Sequence, residues 1–253
     1  KGGMHYTSIE NIHKVIDPLF LDELKAEFEQ IKEVKVKKTK EDKLRAFQDK
    51  LAGLKFLDPA AGSSNFLTET YISLRKLENE VLKELFGVQI ILGELENPIK
   101  VGIHQFYGIE INDFAVATAT TALWIAEAQT MQETERIMQT SLDFLPLKSY
   151  HNIIEGNALR MDWNNLPFSE DEPVTIVTDN THIEFDYIIG NPPFVGARLM
   201  SDSQKADVLY VFGEKWKNIG NLDYVSCWYK KATDYMAGKS TRSALVSTNS
   251  VTQ

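Results

Sequence analysis

The sequence has one cysteine, Cys227, so no disulfide can form within it. That suits a reducing compartment, and the cytoplasm is the expected location. No apolar run approaches the roughly 18 residues that span a bilayer. No charged-then-apolar segment of the secretory kind opens it. A membrane partner is therefore not expected. Positive charge is scarce: 27 Lys and Arg face 36 Asp and Glu, a net charge of −9. This disfavours a protein that grips nucleic acid over its whole surface, but not one whose basic surface lies elsewhere in a longer polypeptide. No Gly-Lys-Ser/Thr follows a glycine turn, which excludes a Walker phosphate loop, and the triple-glycine dinucleotide fingerprint is missing too. The 5 histidines show no metal-ligand spacing, so no metal site is expected.

What is present is an ordinary globular composition, with 43% hydrophobic and 25% charged residues over 253 positions. One large domain, or a domain with a small appendage, is the expectation. Residues 17–33 predict a helix, with Leu21, Leu24, Phe28 and Ile31 on one face. The run KEVKVKKTKEDK at 32–43 reads as a solvated helix end or loop. Strand-like runs then recur at 55–57, 106–111, 152–155, 185–189 and 243–247. A long helix carries Leu67, Tyr71, Leu74, Leu77, Val81 and Leu85 on one face. Another starts at Asn112 or Asp113 and reaches about Met131, and a third covers about 222–237. Strand and helix in alternation predict an α/β fold, a doubly wound and mostly parallel sheet. In such folds ligands sit beyond the carboxyl ends of the strands, where strand order reverses.

The residues after each strand are therefore the ones to read. After the first stands Asp58-Pro59-Ala60-Ala61-Gly62-Ser63-Ser64-Asn65-Phe66-Leu67. Small residues let the backbone approach a ligand, and a helix start offers free N–H groups. Alone, the segment reads equally as a tight turn with a serine cap. Glu110 ends the second strand, placed to accept hydrogen bonds from both hydroxyls of a ribose. Gly156-Asn157-Ala158 follows the third, and an amide there can pair with an adenine edge. After the fourth comes Asn191-Pro192-Pro193-Phe194. The Asn191 amide oxygen and the Pro192 carbonyl are two acceptors fixed in a rigid turn, with an aromatic ring two residues on. That set suits a flat heterocycle bearing an exocyclic amino group.

These segments resemble the motifs of the amino-group DNA methyltransferases: Asp58 to Leu67 the cofactor motif, and Asn191 to Phe194 the catalytic one. Gly2-Gly3-Met4-His5-Tyr6-Thr7-Ser8 resembles the element that precedes the cofactor motif in this group. The stretches at 56–80, 105–129 and 191–208 resemble the MmeI-like single-chain restriction–modification enzymes of types IIG and IIL.

The resemblance implies a Rossmann-like, S-adenosyl-L-methionine-dependent enzyme that methylates N6 of adenine in double-stranded DNA. Asp58, Ala60, Gly62, Asn65 and Phe66 would hold the methionine portion of the cofactor, with Tyr6 and Thr7 closing over it. Glu110 would take the ribose, Ile111 would pack on the adenine, and Asn157 with Ala158 would meet its amino edge. Asn191, Pro192, Pro193 and Phe194 would form the catalytic turn, with Phe194 stacked on an extruded base. Three positions depart from the pattern. Ala61 and Ser64 replace a cysteine and a glycine, and Asn157 stands where aspartate is common. A serine at a left-handed position costs about 1 kcal/mol.

The expected organisation is a helical segment over 1–50 that carries the cofactor-contacting element, then a methyltransferase core over 51–253. The core is expected to be two strands short of the usual seven, as part of a longer polypeptide. DNA is then engaged through that parent. Cys227 reads as a core residue. Two rival readings stay open. One is methylation of another amino or amide nitrogen: a protein glutamine, an RNA base, or N4 of cytosine. The other is a non-catalytic methyltransferase scaffold.

Overall fold

The computed structural model describes residues 7–86, 98–139, 150–168, 183–214, 216 and 219–248. Within them five strands form one sheet: β1 (Phe56–Asp58), β2 (Phe106–Glu110), β3 (Ile153–Glu155), β4 (Tyr187–Gly190) and β5 (Arg242–Leu245). Their order is β3-β2-β1-β4-β5, and every pairing is parallel. The chain winds outward from β1 to β3, then returns to β4 on the other side of β1. The reversal therefore lies between β1 and β4.

Side chains alternate across the sheet and feed two cores. Phe56, Phe106, Tyr187 and Ile189 join one, where α1 (Ile9–Ile16), α2 (Asp22–Lys32), α3 (Lys37–Gly53), α4 (Asn65–Phe86) and α5 (Asp113–Met138) pack. Leu57, Tyr107, Ile109 and Ile188 join the other, with α6 (Asp202–Phe212) and α7 (Ser226–Met236). The expected face of α4 is buried from Leu67 to Val81, and Leu85 packs at its margin. Asn112 caps α5 by accepting from Ala115 N–H at 3.2 Å. Among the described residues, no helix is long and apolar enough to cross a membrane.

Two elements differ from expectation, the first helix and the end of α5. The first helix starts at Ile9, not near residue 17, and a π-helical turn over Asp17–Leu21 divides it from α2. Pro18 supplies no N–H, and Asp22 N–H bonds back to Asp17 O across five residues. The lysine-rich run is partly the start of α3, anchored through buried Leu44, Phe47 and Leu51. Finally, α5 runs on to Met138, where Gln139 ends it at φ 50°.

Two polar links hold these layers in register. His13 lies 2.7 Å from Asp17 and 3.0 Å from Glu69, pinning α1 to α4 just after Thr7. In α4, buried Arg75 pairs with buried Glu78, which also accepts from Gln48 and from Lys100 N–H.

At the reversal, Gly190 ends β4 with φ +153°, and a Cβ there would stand 2.4 Å from Asp58 Oδ1. Gly190→Ala is thus expected to cost at least ~2 kcal/mol through overpacking and backbone strain. Urea unfolding measures this, and unchanged stability would mean that the two strand ends part freely.

Candidate functional site

A cleft of about 940 Å³ opens at the carboxyl ends of the strands, over the β1–β4 reversal. That volume is near the upper end for small-molecule sites, with room for a nucleoside cofactor and a base together. Thr7, Asp58, Ala60, Gly62, Asn65, Phe66, Glu110, Ile111, Asn157, Ala158 and the turn from Asn191 to Phe194 all line it. Tyr6 lies outside the described residues.

The turn after β1 is held by its own backbone and by Glu110. Ala60 N–H donates to Asp58 Oδ1 at 2.9 Å, and Ala61 N–H to Ile109 O at 3.0 Å. Gly62, at φ +54°, donates its N–H to Glu110 Oε2 at 2.8 Å. The other carboxylate oxygen accepts from Asn112 N–H at 3.0 Å. Glu110 thus braces the turn and the start of α5 at once. Each of its oxygens keeps capacity for a further donor such as a ribose hydroxyl. Ile111, 68% exposed, presents an apolar face beside it.

Ser64 adopts φ 61°, the left-handed conformation that glycine would take without cost. Its hydroxyl is buried and has no hydrogen-bond partner among the described residues. Asp58 is 1% exposed. Burial pushes its carboxyl up to about 7, against the Ala60 N–H and with the Glu110 charge adding to the rise.

The turn after β4 has one bonded end and one open end. Asn191 Nδ2 donates to Thr7 Oγ1 at 3.0 Å. Asn191 Oδ1 is buried yet accepts no hydrogen bond among the described residues. Pro192 is buried, Pro193 exposed and Phe194 half-buried. Asp223 accepts from Val195 N–H at 3.1 Å and fixes the exit of the turn.

Sequence reasoning missed a second group of lining residues: Arg160, Asp207, Tyr224 and Trp228. Asp207 of α6 accepts from Arg160 Nε at 2.6 Å, Tyr224 OH at 2.8 Å and Asn157 Nδ2 at 3.1 Å. Trp228 Nε1 donates to Pro59 O at 3.0 Å, tying α7 to the turn after β1. Asp207 lay inside the stretch 191–208 that carries the resemblance, but no local pattern marked it. Cys227 is buried, and desolvation together with Asp207 pushes its thiol up to about 12, so it remains an inert core thiol.

Comparison with known proteins fits this geometry. The family described as "MmeI, DNA-methyltransferase domain" matches residues 33–253. DNA methyltransferase A of Bacillus subtilis (strain 168) is 40% identical over 253 residues, 99% of this chain and 26% of the relative. A putative type II restriction enzyme and methyltransferase of Methanocaldococcus jannaschii is 33% identical over 118 residues, 46% of this chain and 9% of the relative. The type IIL restriction–modification enzyme MmeI, solved in complex with DNA, matches with a TM-score of 0.84 at 43% identity. That match covers 98% of this chain and 31% of the MmeI chain. The chain thus spans about a quarter to a third of the two relatives that it matches along nearly its whole length.

Two outcomes follow from the turn after β1. Asp58 has an ordinary value of 3.8 and a folded value of about 7. Between these, the folded state keeps a proton that the unfolded state has lost. The contribution of Asp58 to stability therefore falls as pH rises through that window. Asp58→Asn should flatten this part of the profile in urea unfolding, and parallel profiles would refute it. Ser64→Gly should raise stability by about 1 kcal/mol, since it removes left-handed strain. It also removes an unpaired hydroxyl. A variant that melts no later would show that the hydroxyl is paired in solution.

Proposed function

The chain belongs to the MmeI DNA-methyltransferase domain family, and on that premise we propose that it binds S-adenosyl-L-methionine and methylates N6 of adenine in double-stranded DNA. The observation that carries this reading is the buried Oδ1 of Asn191, which has no donor among the described residues. A buried acceptor left without a donor costs about 1–3 kcal/mol, and a substrate amino group is the donor that repays it.

The cofactor supplies an electrophilic methyl carbon. The remaining demands fall on the chain. An amino nitrogen conjugated to a purine is a poor nucleophile, because its lone pair is spread into the ring. Asn191 Oδ1 and the Pro192 carbonyl accept from its two N–H groups and favour a pyramidal nitrogen with a localised lone pair. Asn191 is a neutral amide and takes no proton, so the proton shed by the methylated nitrogen would pass to water and the work of Asn191 is orientation and charge stabilisation. Thr7 holds the amide nitrogen from the other side. Phe194 is the ring on which an extruded base stacks.

Glu110 is the proposed ribose ligand, and the Gly62 turn lies against the methionine portion. Asp58 is the buried carboxylate that would meet its ammonium. Burial favours the protonated form of that carboxyl, and an arriving cation would favour its ionisation. We read the division into residues 1–50 and a core over 51–253 as functional, with the first part presenting Thr7. Duplex capture and sequence readout are assigned to the longer protein, because the acidic chain itself offers phosphate little. A DNA-modifying enzyme with a single cysteine is read as cytoplasmic.

Glu110→Ala should weaken cofactor binding by roughly 1–3 kcal/mol, read by calorimetry. Asn191→Ala should cut methyl transfer by at least ~10²-fold while cofactor affinity holds, as for loss of a donor to a developing charge. Phe194→Ala should weaken base capture by about 1–3 kcal/mol, and Phe194→Tyr should largely keep it. A fluorescent adenine analogue at the target position reports extrusion. An active Asn191→Ala enzyme would remove the catalytic turn from this role.

A further inference from the structure

Asp207 belongs to α6, which follows the catalytic turn, yet its carboxylate reaches the loop after β3. It is 6% exposed and lines the cleft. A carboxylate so deeply buried needs donors to stay charged. It has three, from Arg160, Tyr224 and Asn157. Burial opposes its charge, and the bonds from these donors outweigh burial, holding the carboxyl below its usual range.

The consequence falls on Asn157. An amide is ambidextrous: turned one way it offers an acceptor at a given point, turned the other a donor. Here both ends are tied. Asn157 Oδ1 accepts from Leu159 N–H at 3.0 Å, a group that can only donate. Asn157 Nδ2 meets Asp207 Oδ2 at 3.1 Å, and an ionised carboxylate can only accept. A flip would set donor against donor and acceptor against acceptor. These two bonds leave one lone pair on Oδ1 and one N–H on Nδ2 uncommitted, on a residue that lines the cleft. An acceptor beside a donor matches the edge of a 6-aminopurine, which gives from its amino group and accepts at the ring nitrogen. A 6-oxopurine carries the reverse pattern.

We propose that Asp207 is a positioning residue that locks the Asn157 amide, and that the pair sets a preference for a 6-amino over a 6-oxo purine in the cofactor. This rests on the reading of the cleft as a nucleoside-cofactor site. It also has a counterintuitive corollary. Asn157→Asp places a second carboxylate against Asp207 and should weaken cofactor binding. The exchanged pair, Asn157→Asp with Asp207→Asn, restores an acceptor facing a donor.

The test is calorimetry on this chain with S-adenosyl-L-homocysteine and S-inosyl-L-homocysteine, with thermal melting as a check on folding. The unaltered chain should prefer the adenosyl compound by at least ~10-fold, the discrimination of one bidentate amide–base pair. Asp207→Asn should shrink that preference to about threefold or less, chiefly by weakening the adenosyl compound. Asn157→Ala leaves Asp207 its Arg160 and Tyr224 donors, and it should erase the preference as well. The exchanged pair should bind the adenosyl compound more tightly than Asn157→Asp alone. A folded Asp207→Asn variant that keeps the full preference, or that loses both compounds equally, overturns the positioning role. So does an unchanged preference in Asn157→Ala. If neither compound binds the unaltered chain, the cofactor reading itself fails and takes this inference with it.

Discussion

Asp58 and Gly190 stand so close across the β1–β4 pairing that no Cβ fits between them. Both follow from one topological fact, that the chain reverses its winding between these two strands. The contact brings the end of β1, with its glycine turn, beside the end of β4, with its proline turn. Without it, Asp58 and Asn191 would belong to separate loops. With it they line one cleft. It also seals Asp58 from water, and burial is the main reason that its carboxyl is pushed up to about 7. The packing that assembles the site therefore also sets its electrostatics.

The region around that contact holds several features that a stability optimum would lack. Ser64 sits in a left-handed conformation, and among the described residues neither its hydroxyl nor the buried Asn191 Oδ1 has a hydrogen-bond partner. Each costs free energy that the neighbouring cores must offset. The offset is visible in the packing. Phe56 stacks on Phe106 and on Tyr187 beneath the turn, and Trp228 bonds to Pro59 above it. Local disagreements with folding rules gather where chemistry is proposed, and the rigid layers around them agree with those rules.

The layered fold was legible because local patterns wrote it. The strands are short apolar runs ended by turn residues, and α4 shows an unbroken apolar stripe. The cleft was legible for the same reason: a parallel sheet sends ligands to its carboxyl ends, and the residues there were few enough to read singly. What escaped was non-local or polar. Asp207 meets Asn157 across 50 positions, and nothing in either neighbourhood announces the other. Arg75 and Glu78 are charged, so a hydropathy reading puts them in solvent. The structure buries both because each neutralises the other and Glu78 gathers backbone donors. The π-helical turn escaped because Pro18 within an apolar pattern suggests a helix start, and here it shifts the hydrogen-bond ladder instead.

On the proposed reading, charge explains how an acidic chain suits work on DNA. The cleft is lined by Asp58, Glu110 and Asp207, with Arg160 already engaged by Asp207. Such a lining draws a cationic cofactor and repels phosphate. On the proposed reading, that division is useful. A base entering the cleft must leave its phosphates outside, and the acceptors that receive it, the Asn191 amide and the Pro192 carbonyl, are neutral. A carboxylate at position 191 would hold an amino group more tightly in the ground state, but it would also add a charge to a cleft already lined by Glu110 and Asp207. An amide keeps the acceptor while avoiding that repulsion. Its nitrogen, bonded to Thr7, gives it a fixed direction. On the proposed reading, an amide at position 191 thus suits a cleft whose lining already carries carboxylates, with Asp58 packed against Gly190 among them.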